Sequence, residues 1–212
     1  LADLGKDVRK VDIVFVVDAT GTMKRYFHST RNAVLQIMQD LQDDFDPVDP
    51  KRPEFRFGVC FYRDYDYGPD LFDWQPLTNK TEIVQRFLDH GETLSRGDLN
   101  EAVFAGILEA VDKADFDDGF RAVVLLGDMG NDENDENGYD KQIVLNRLRD
   151  LNISLFVYHV VGKERLEEME AEAFKRQVEW ICQRLPAGDG SYFIEADPDS
   201  VSQIILKNIR SI

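Results

Sequence analysis

The chain reads as an α/β protein: a doubly wound open sheet of about six mostly parallel strands, with helices on both faces. Three observations predict this. Near-continuous apolar runs at Ile13–Val17, Ala122–Leu126 and Ser154–Val161 suit strands buried on both faces. Segments with apolar residues at helical spacing lie between them. The order strand–helix–strand repeats along the chain, for which right-handed crossovers are expected.

The elements follow in order. After Ile13–Val17, the segment Met23–Leu41 carries Tyr26, Phe27, Ala33, Val34, Ile37, Met38 and Leu41 at helical spacing. Asp43 and Asp44 end it, and Pro47 and Pro50 mark a loop. Phe55–Tyr62 is a second strand, followed by an acidic, Tyr-rich turn from Arg63 to Gly68. A short edge strand is expected around Phe72 and Trp74, then helices at Thr81–Leu88 and Leu99–Ala114. The strand Ala122–Leu126 runs into Gly127-Asp128-Met129-Gly130-Asn131-Asp132 and a polar loop. The helix Gln142–Leu151, the strand Ser154–Val161, the helix Glu164–Arg184, the strand Tyr192–Ile194 and a helix from Pro198 complete the chain. Residues 1–212 are therefore expected to form a single domain.

The chain starts at Leu1 without an initiator Met or a signal peptide, so a piece of a larger protein is expected, with the compartment (cytoplasmic or bacterial periplasmic) left open. No stretch approaches the ~20 apolar residues of a membrane span. The net charge of −16 disfavours nucleic acid and anionic membrane and favours cations or basic partners. Cys60 and Cys182 fit neither a disulfide framework nor a zinc spacing and read as buried thiols.

The chemistry concentrates at Asp18-Ala19-Thr20-Gly21-Thr22. One carboxylate and two hydroxyls at i, i+2 and i+4 follow a buried strand, on a turn of small residues. At the carboxyl end of a parallel strand, such an oxygen cluster suits a hard cation such as Mg2+. A phosphoryl-accepting aspartate is the other chemistry these residues permit. Asp128 ends another strand, and the Gly-containing loop Ser95-Arg96-Gly97-Asp98-Leu99-Asn100-Glu101 opens a helix. All three segments would converge at the topological switch point beside the first strand.

These residues resemble the von Willebrand factor A domain, over nearly the whole chain from Asp12 to the final helix. Asp18-Ala19-Thr20-Gly21-Thr22-Met23 matches the family's metal-ion-dependent adhesion site, Asp-x-Ser-x-Ser, with Thr in both Ser places. Gly58-Val59-Cys60-Phe61-Tyr62-Arg63-Asp64 and Gly97-Asp98-Leu99-Asn100-Glu101-Ala102 resemble segments of bacterial and kinase-linked members, some of them tied to signalling and secretion. Gly127-Asp128 matches the acid after the fourth strand.

The resemblance implies a Rossmann-like fold and bound Mg2+ or Mn2+, with Ca2+ less favoured. Thr20 and Thr22 would be direct ligands, and Asp18 and Asp128 direct or water-mediated ones. A protein partner's Asp or Glu would complete the metal shell. The pattern departs in the middle loop, where the family's Thr is replaced by Leu99, so Asp98, Ser95 or water would fill that position. With Asp98 as a ligand, three carboxylates surround the ion. Asp64, Asp66, Glu101 and Asp132 add further negative charge, so weak binding of acidic ligands or a structural metal is expected.

Two other readings compete. Asp18-Ala19-Thr20-Gly21-Thr22 also resembles the phosphorylated-aspartate motif of the haloacid dehalogenase superfamily. There Asp18 would be the nucleophile, with Asp128 and Asp132 holding Mg2+. Thr20 stands where soluble phosphatases place an acid/base, and Lys113 is a poor candidate for the superfamily's lysine. The third reading is a metal-free scaffold in which Asp18 caps a helix.

The loop Asp132–Gly138 fails as an EF-hand because Val144 falls where a bidentate Glu is required. His28 falls early in the first helix, where it can face the crevice, whereas His159 reads as core. Trp74, Tyr62, Tyr65 and Tyr67 are interface aromatics or core. The expected function is metal-dependent protein–protein recognition, without catalysis.

Overall fold

The computed structural model describes residues 9–49, 51–94, 101–131, 138–160, 165–185, 192–194, 203 and 206–207, with the backbone alone for 165–170 and 192–194. Its centre is β1 (Lys10–Asp18), a nine-residue strand buried from Val11 onward. It pairs in parallel with β2 (Glu54–Tyr62) on one side and β4 (Phe120–Gly127) on the other. An antiparallel edge strand, β3 (Phe72–Thr78), lies outside β2, while β5 (Ser154–His159) and β6 (Tyr192–Ile194) extend the sheet beyond β4. The order is β3-β2-β1-β4-β5-β6. The chain winds one way from β1 and then crosses to its other side, so the switch point lies between β1 and β4, as expected.

Alternation along β1 divides the core into two layers. Ile13, Phe15 and Val17 face α1 (Phe27–Asp43) and α2 (Thr81–His90), packing with Val34, Ile37, Leu41, Val84 and Leu88. Val14 and Val16 face the opposite layer. It is built by α3 (Val103–Lys113), α4 (Lys141–Asp150) and α5 (Arg165–Cys182), with Ile107, Val144, Leu148, Phe174 and Ile181. Each large aliphatic side chain fully buried in these layers stabilises the fold by roughly 1.5–3 kcal/mol. Both cysteines are buried and free.

At the amino ends of the strands, Asp12 is buried and takes a two-pronged hydrogen bond from Arg56, at 2.8 and 2.6 Å. It also accepts from the Asp117 amide at 2.7 Å. This ties the β1–β2 pair to the turn that enters β4, at the end of the sheet away from Asp18.

Several boundaries differ from the sequence reading, for local reasons. The first strand begins at Lys10 rather than Ile13, because Arg56 compensates the buried charge of Asp12. The expected helix from Met23 opens instead with a 3-10 turn, Thr22–Arg25, in which the Lys24 amide donates to the Gly21 carbonyl and the Tyr26 amide to that of Met23. The helix expected from Leu99 starts at Val103, because the Glu101 and Ala102 amides donate to Gly130 and Arg63 carbonyls instead. The Tyr-rich turn is a 3-10 segment, Tyr65–Asp70, entered through Asp64, whose side chain accepts from the Asp66 amide. The strand expected to reach Val161 ends at His159. Of the helix expected from Pro198, residues 203, 206 and 207 are described and are helical.

Candidate metal centre

The register of the central strands assembles the site. Asp18 is level with Tyr62 on β2, and Val17 is level with Leu126 on β4, so Asp18, Tyr62 and Gly127 share one edge of the sheet. The loops at this edge are joined by backbone hydrogen bonds. Ala19 donates to the Tyr62 carbonyl, Leu94 to Ala19, Glu101 to Gly130, and Ala102 to Arg63.

Asp18 is fully buried. Its Oδ1 accepts from the Thr20 amide at 2.8 Å and from the Thr20 hydroxyl at 2.7 Å, the compact turn that the small residues after it permit. The Thr20 and Thr22 hydroxyl oxygens are 3.1 Å apart, and the Thr22 hydroxyl donates weakly to Asp128 Oδ1 at 3.4 Å. Four oxygen-bearing side chains from two strand ends thus form one continuous row. The 3-10 turn starting at Thr22 holds that residue in the row.

The other carboxylate oxygens, Asp18 Oδ2 and Asp128 Oδ2, are buried and take no hydrogen bond among the described residues. Glu101, only 1% exposed, likewise has an Oε2 with no hydrogen-bond partner among the described residues. Burial raises the pKa of Asp18 above the ordinary carboxylate value of 3.8. Asp128 is raised by burial and by the charge of Asp18. Glu101 is raised well above its ordinary value by burial, then by Asp18 and Asp128. Buried acids packed this closely resist ionising together unless a positive charge joins them.

Gly127 is required by this geometry. A Cβ there would come within 2.5 Å of the Tyr62 hydroxyl oxygen and 3.5 Å of Asp18 Oδ2. Tyr62 therefore reaches under the floor of the crevice and is core, with its pKa raised by burial and by the nearby acids. Tyr67 is buried too, its hydroxyl donating to the Leu94 carbonyl at 2.7 Å, and Trp74 packs against the α3 layer.

Of the five expected ligands, the structure brings four together: Asp18, Thr20, Thr22 and Asp128. Asp98 lies outside the described residues, as do Ser95, Leu99 and Asp132. Among the described residues no three His, Cys, Asp or Glu side chains form a metal cage, so the threonine hydroxyls are needed to complete a donor set. The donors present do fit a hard cation: all are oxygens, two are carboxylates, and each carboxylate keeps a buried oxygen without a partner among the described residues.

Sequence reasoning treated Glu101 as part of the surrounding acid, yet it is buried beside the row. The available signal was its place immediately before the apolar Ala102-Val103 pair. Arg63 was also overlooked as a positioning group. It is buried and donates to the Asp70 and Glu92 carbonyls at 2.7 and 3.2 Å and to the Asp73 carboxylate at 2.7 Å. It thereby joins the β2–β3 turn to the segment leaving α2. His159 is buried and stacked on Phe174, in line with its core reading.

A doubly wound α/β domain with an oxygen-lined crevice at its switch point is the class that fold and site define. The model of the von Willebrand factor type A domain matches residues 12–205, and the chain belongs to that family. No curated protein matches it.

Solved structures share the fold at low identity. Proximal thread matrix protein 1 from the mussel byssus, in a form with a zinc-occupied MIDAS motif (the adhesion site named above), is 16% identical. That match has a TM-score of 0.59 and covers 96% of this chain and 46% of that one. A pilus adhesin of Lactobacillus rhamnosus GG in an open conformation is 13% identical, with a TM-score of 0.63 over 97% and 30% of the two chains. An aerotolerance-related membrane protein of Bacteroides fragilis is 14% identical, with a TM-score of 0.60 over 95% and 100%. The chain thus spans under half the length of the mussel and pilus proteins it matches. Among the described residues, no helix is long and apolar enough to cross a membrane.

Proposed function

We propose that this domain is a non-catalytic recognition module whose crevice holds a divalent cation, Mg2+ or Mn2+, and that a protein partner docks there through an acidic side chain. The observation that carries the proposal is the pair of buried oxygens, Asp18 Oδ2 and Asp128 Oδ2, that have no hydrogen-bond partner among the described residues and flank two threonine hydroxyls. Asp18, Thr20, Thr22 and Asp128 would hold the ion, with Asp98 as a further ligand. When bound, the ion neutralises the carboxylates and offers a coordination position to a partner's carboxylate.

The residues divide this work. Thr20 fixes the Asp18 carboxylate through two hydrogen bonds to one oxygen, which leaves the second oxygen for the cation. Thr22 spans the gap between Thr20 and Asp128. Gly130 and Asn131 hold the Asp128 loop against the loops of Glu101 and α3. An all-oxygen donor set favours Mg2+ or Mn2+, although the mussel protein holds zinc in its own site.

The phosphoryl-transfer reading is not favoured, because Lys113 lies at the far end of α3 and pairs with Glu109 at 2.5 Å, away from Asp18. The metal-free scaffold reading leaves the buried acid pair uncompensated.

Titration of chelator-stripped protein with Mn2+, followed by the resonance of the free ion, tests the proposal. One saturable site, weakened at least about tenfold (~1.4 kcal/mol) in Thr22→Ala, is expected. Absence of saturable binding at millimolar Mn2+ would remove the metal from the account.

A further inference from the structure

Beside the crevice lies an open groove of about 350 Å3, walled by Lys24, Phe27, His28 and Arg31 on one side and by Gly91, Glu92 and Thr93 on the other. Both walls continue directly from the candidate metal centre. Lys24 is two residues beyond Thr22, and Thr93 precedes Leu94, which pairs with Thr20 and donates its amide to the Ala19 carbonyl.

The floor is the Phe27 ring, packed on Phe61 with centroids 5.6 Å apart. Gly91 is the residue this arrangement admits, since a Cβ there would come within 2.6 Å of Phe61 and 3.1 Å of Phe27. The groove is thus shaped by fixed aromatic packing.

Its charge contrasts with the rest of the chain. Residues 23–31, MKRYFHSTR, contain Lys24, Arg25 and Arg31 and no acid, in a protein of net charge −16. Arg31 is held in place by Asp89 at 3.2 Å and by His28 Nδ1 at 3.1 Å, and its Nε is buried without a partner among the described residues. Lys24 is exposed and forms no ion pair among the described residues. Glu92, which is exposed, is the one acid in the lining; Arg63 holds its backbone carbonyl and leaves its carboxylate charge in place.

We infer that this groove is the second contact for the same partner: it accepts another carboxylate of an acidic peptide segment whose first carboxylate reaches the metal centre. The inference rests on the metal-dependent reading above and names the partner as a segment with at least two acidic side chains. The cationic wall offsets the repulsion that Asp64, Glu101 and Asp128 exert on an approaching acid, and it acts at close range, inside the screening length of physiological salt.

The test uses two rhodamine-labelled peptides with blocked ends, hexaglutamate and a hexamer of five glutamines with one glutamate. Fluorescence anisotropy is read at saturating Mg2+ and in EDTA. The variant is the double substitution Lys24→Gln with His28→Gln, both exposed positions. Wild type is expected to bind hexaglutamate at least about tenfold more tightly than the single-acid peptide. The variant should lose that advantage while keeping its affinity for the single-acid peptide and for Mn2+.

Equal binding of both peptides by wild type and variant, or no binding of either, overturns the groove. Hexaglutamate binding that persists in EDTA but falls in the variant supports the groove and overturns the metal-dependent reading.

Discussion

Asn131 and Gln177 exchange two hydrogen bonds: the Asn131 amide donates to Gln177 Oε1 at 2.8 Å, and Gln177 Nε2 donates to the Asn131 carbonyl at 2.9 Å. Both residues are buried. Asn131 Oδ1 in turn accepts from the Phe104 amide at 2.9 Å, so one side chain on α5 secures the loop of Asp128 and the first turn of α3 together. Gln177→Ala would orphan two buried backbone groups, at a cost of about 2 kcal/mol or more. A fall of roughly 4–8 °C in thermal midpoint is expected, with weaker Mn2+ binding because the Asp128 loop loosens. Calorimetry and Mn2+ titration of the variant check both; a fall in midpoint with metal affinity unchanged would mean that the pair serves stability alone.

Gly127 and Tyr62 form a second testable pair. Gly127→Ala places a methyl 2.5 Å from the Tyr62 hydroxyl oxygen, a contact that forces the ring or β4 to shift. Overpacking of this kind costs about 1–3 kcal/mol. Tyr62→Phe removes the offending oxygen, so the double variant should recover part of the loss. Strict additivity in chemical denaturation would show that the strain lies elsewhere.

The raised acids give the metal-free protein an inverted pH response. A carboxyl whose pKa is higher folded than unfolded holds its proton more firmly in the native state. Its ionisation therefore removes stability as pH rises from the ordinary value of 3.8 through the raised values of Asp18 and Asp128. In EDTA the thermal midpoint should be higher at about pH 5 than at about pH 8, and Asp18→Asn should flatten the difference. Cation binding displaces those protons, so Mn2+ affinity should strengthen over the same range.

Glu101 separates stability from cation affinity. Glu101→Gln keeps this position neutral where burial, Asp18 and Asp128 oppose ionisation, so the EDTA-treated variant should lose less stability than wild type as pH rises to about 8. The same change makes the crevice less negative, and its response to Mg2+ should shrink. A variant less stable in EDTA, with an unchanged Mg2+ response, would make Glu101 a purely structural group.

The strands and the switch point were legible in the sequence because a parallel strand buried on both faces is a short, β-branched apolar run bounded by turn residues. The row of Asp18, Thr20 and Thr22 was legible because all three sit on one short turn. Asp128 was legible by its place at the end of another such run. Tertiary bonding was not. The helix start at Val103 depends on amides of Glu101 and Ala102 meeting carbonyls distant in sequence. The burial of Glu101 follows from the same pairing, and nothing in its own neighbourhood beyond the apolar residues after it marks it as buried. Arg63 reads as the end of a strand until its three acceptors, on the 3-10 turn (Asp70), on β3 (Asp73) and after α2 (Glu92), are seen around it.

The most direct test of the metal centre is thermal unfolding of chelator-stripped protein, with and without millimolar Mg2+, for wild type and Asp18→Asn. An ion bound to the native state at ~100 times its dissociation constant adds about 2.7 kcal/mol. For a domain of this size, that is a rise on the order of 5–10 °C. The account predicts such a rise for wild type and its loss in Asp18→Asn. Midpoints unmoved by Mg2+ in both proteins would contradict it.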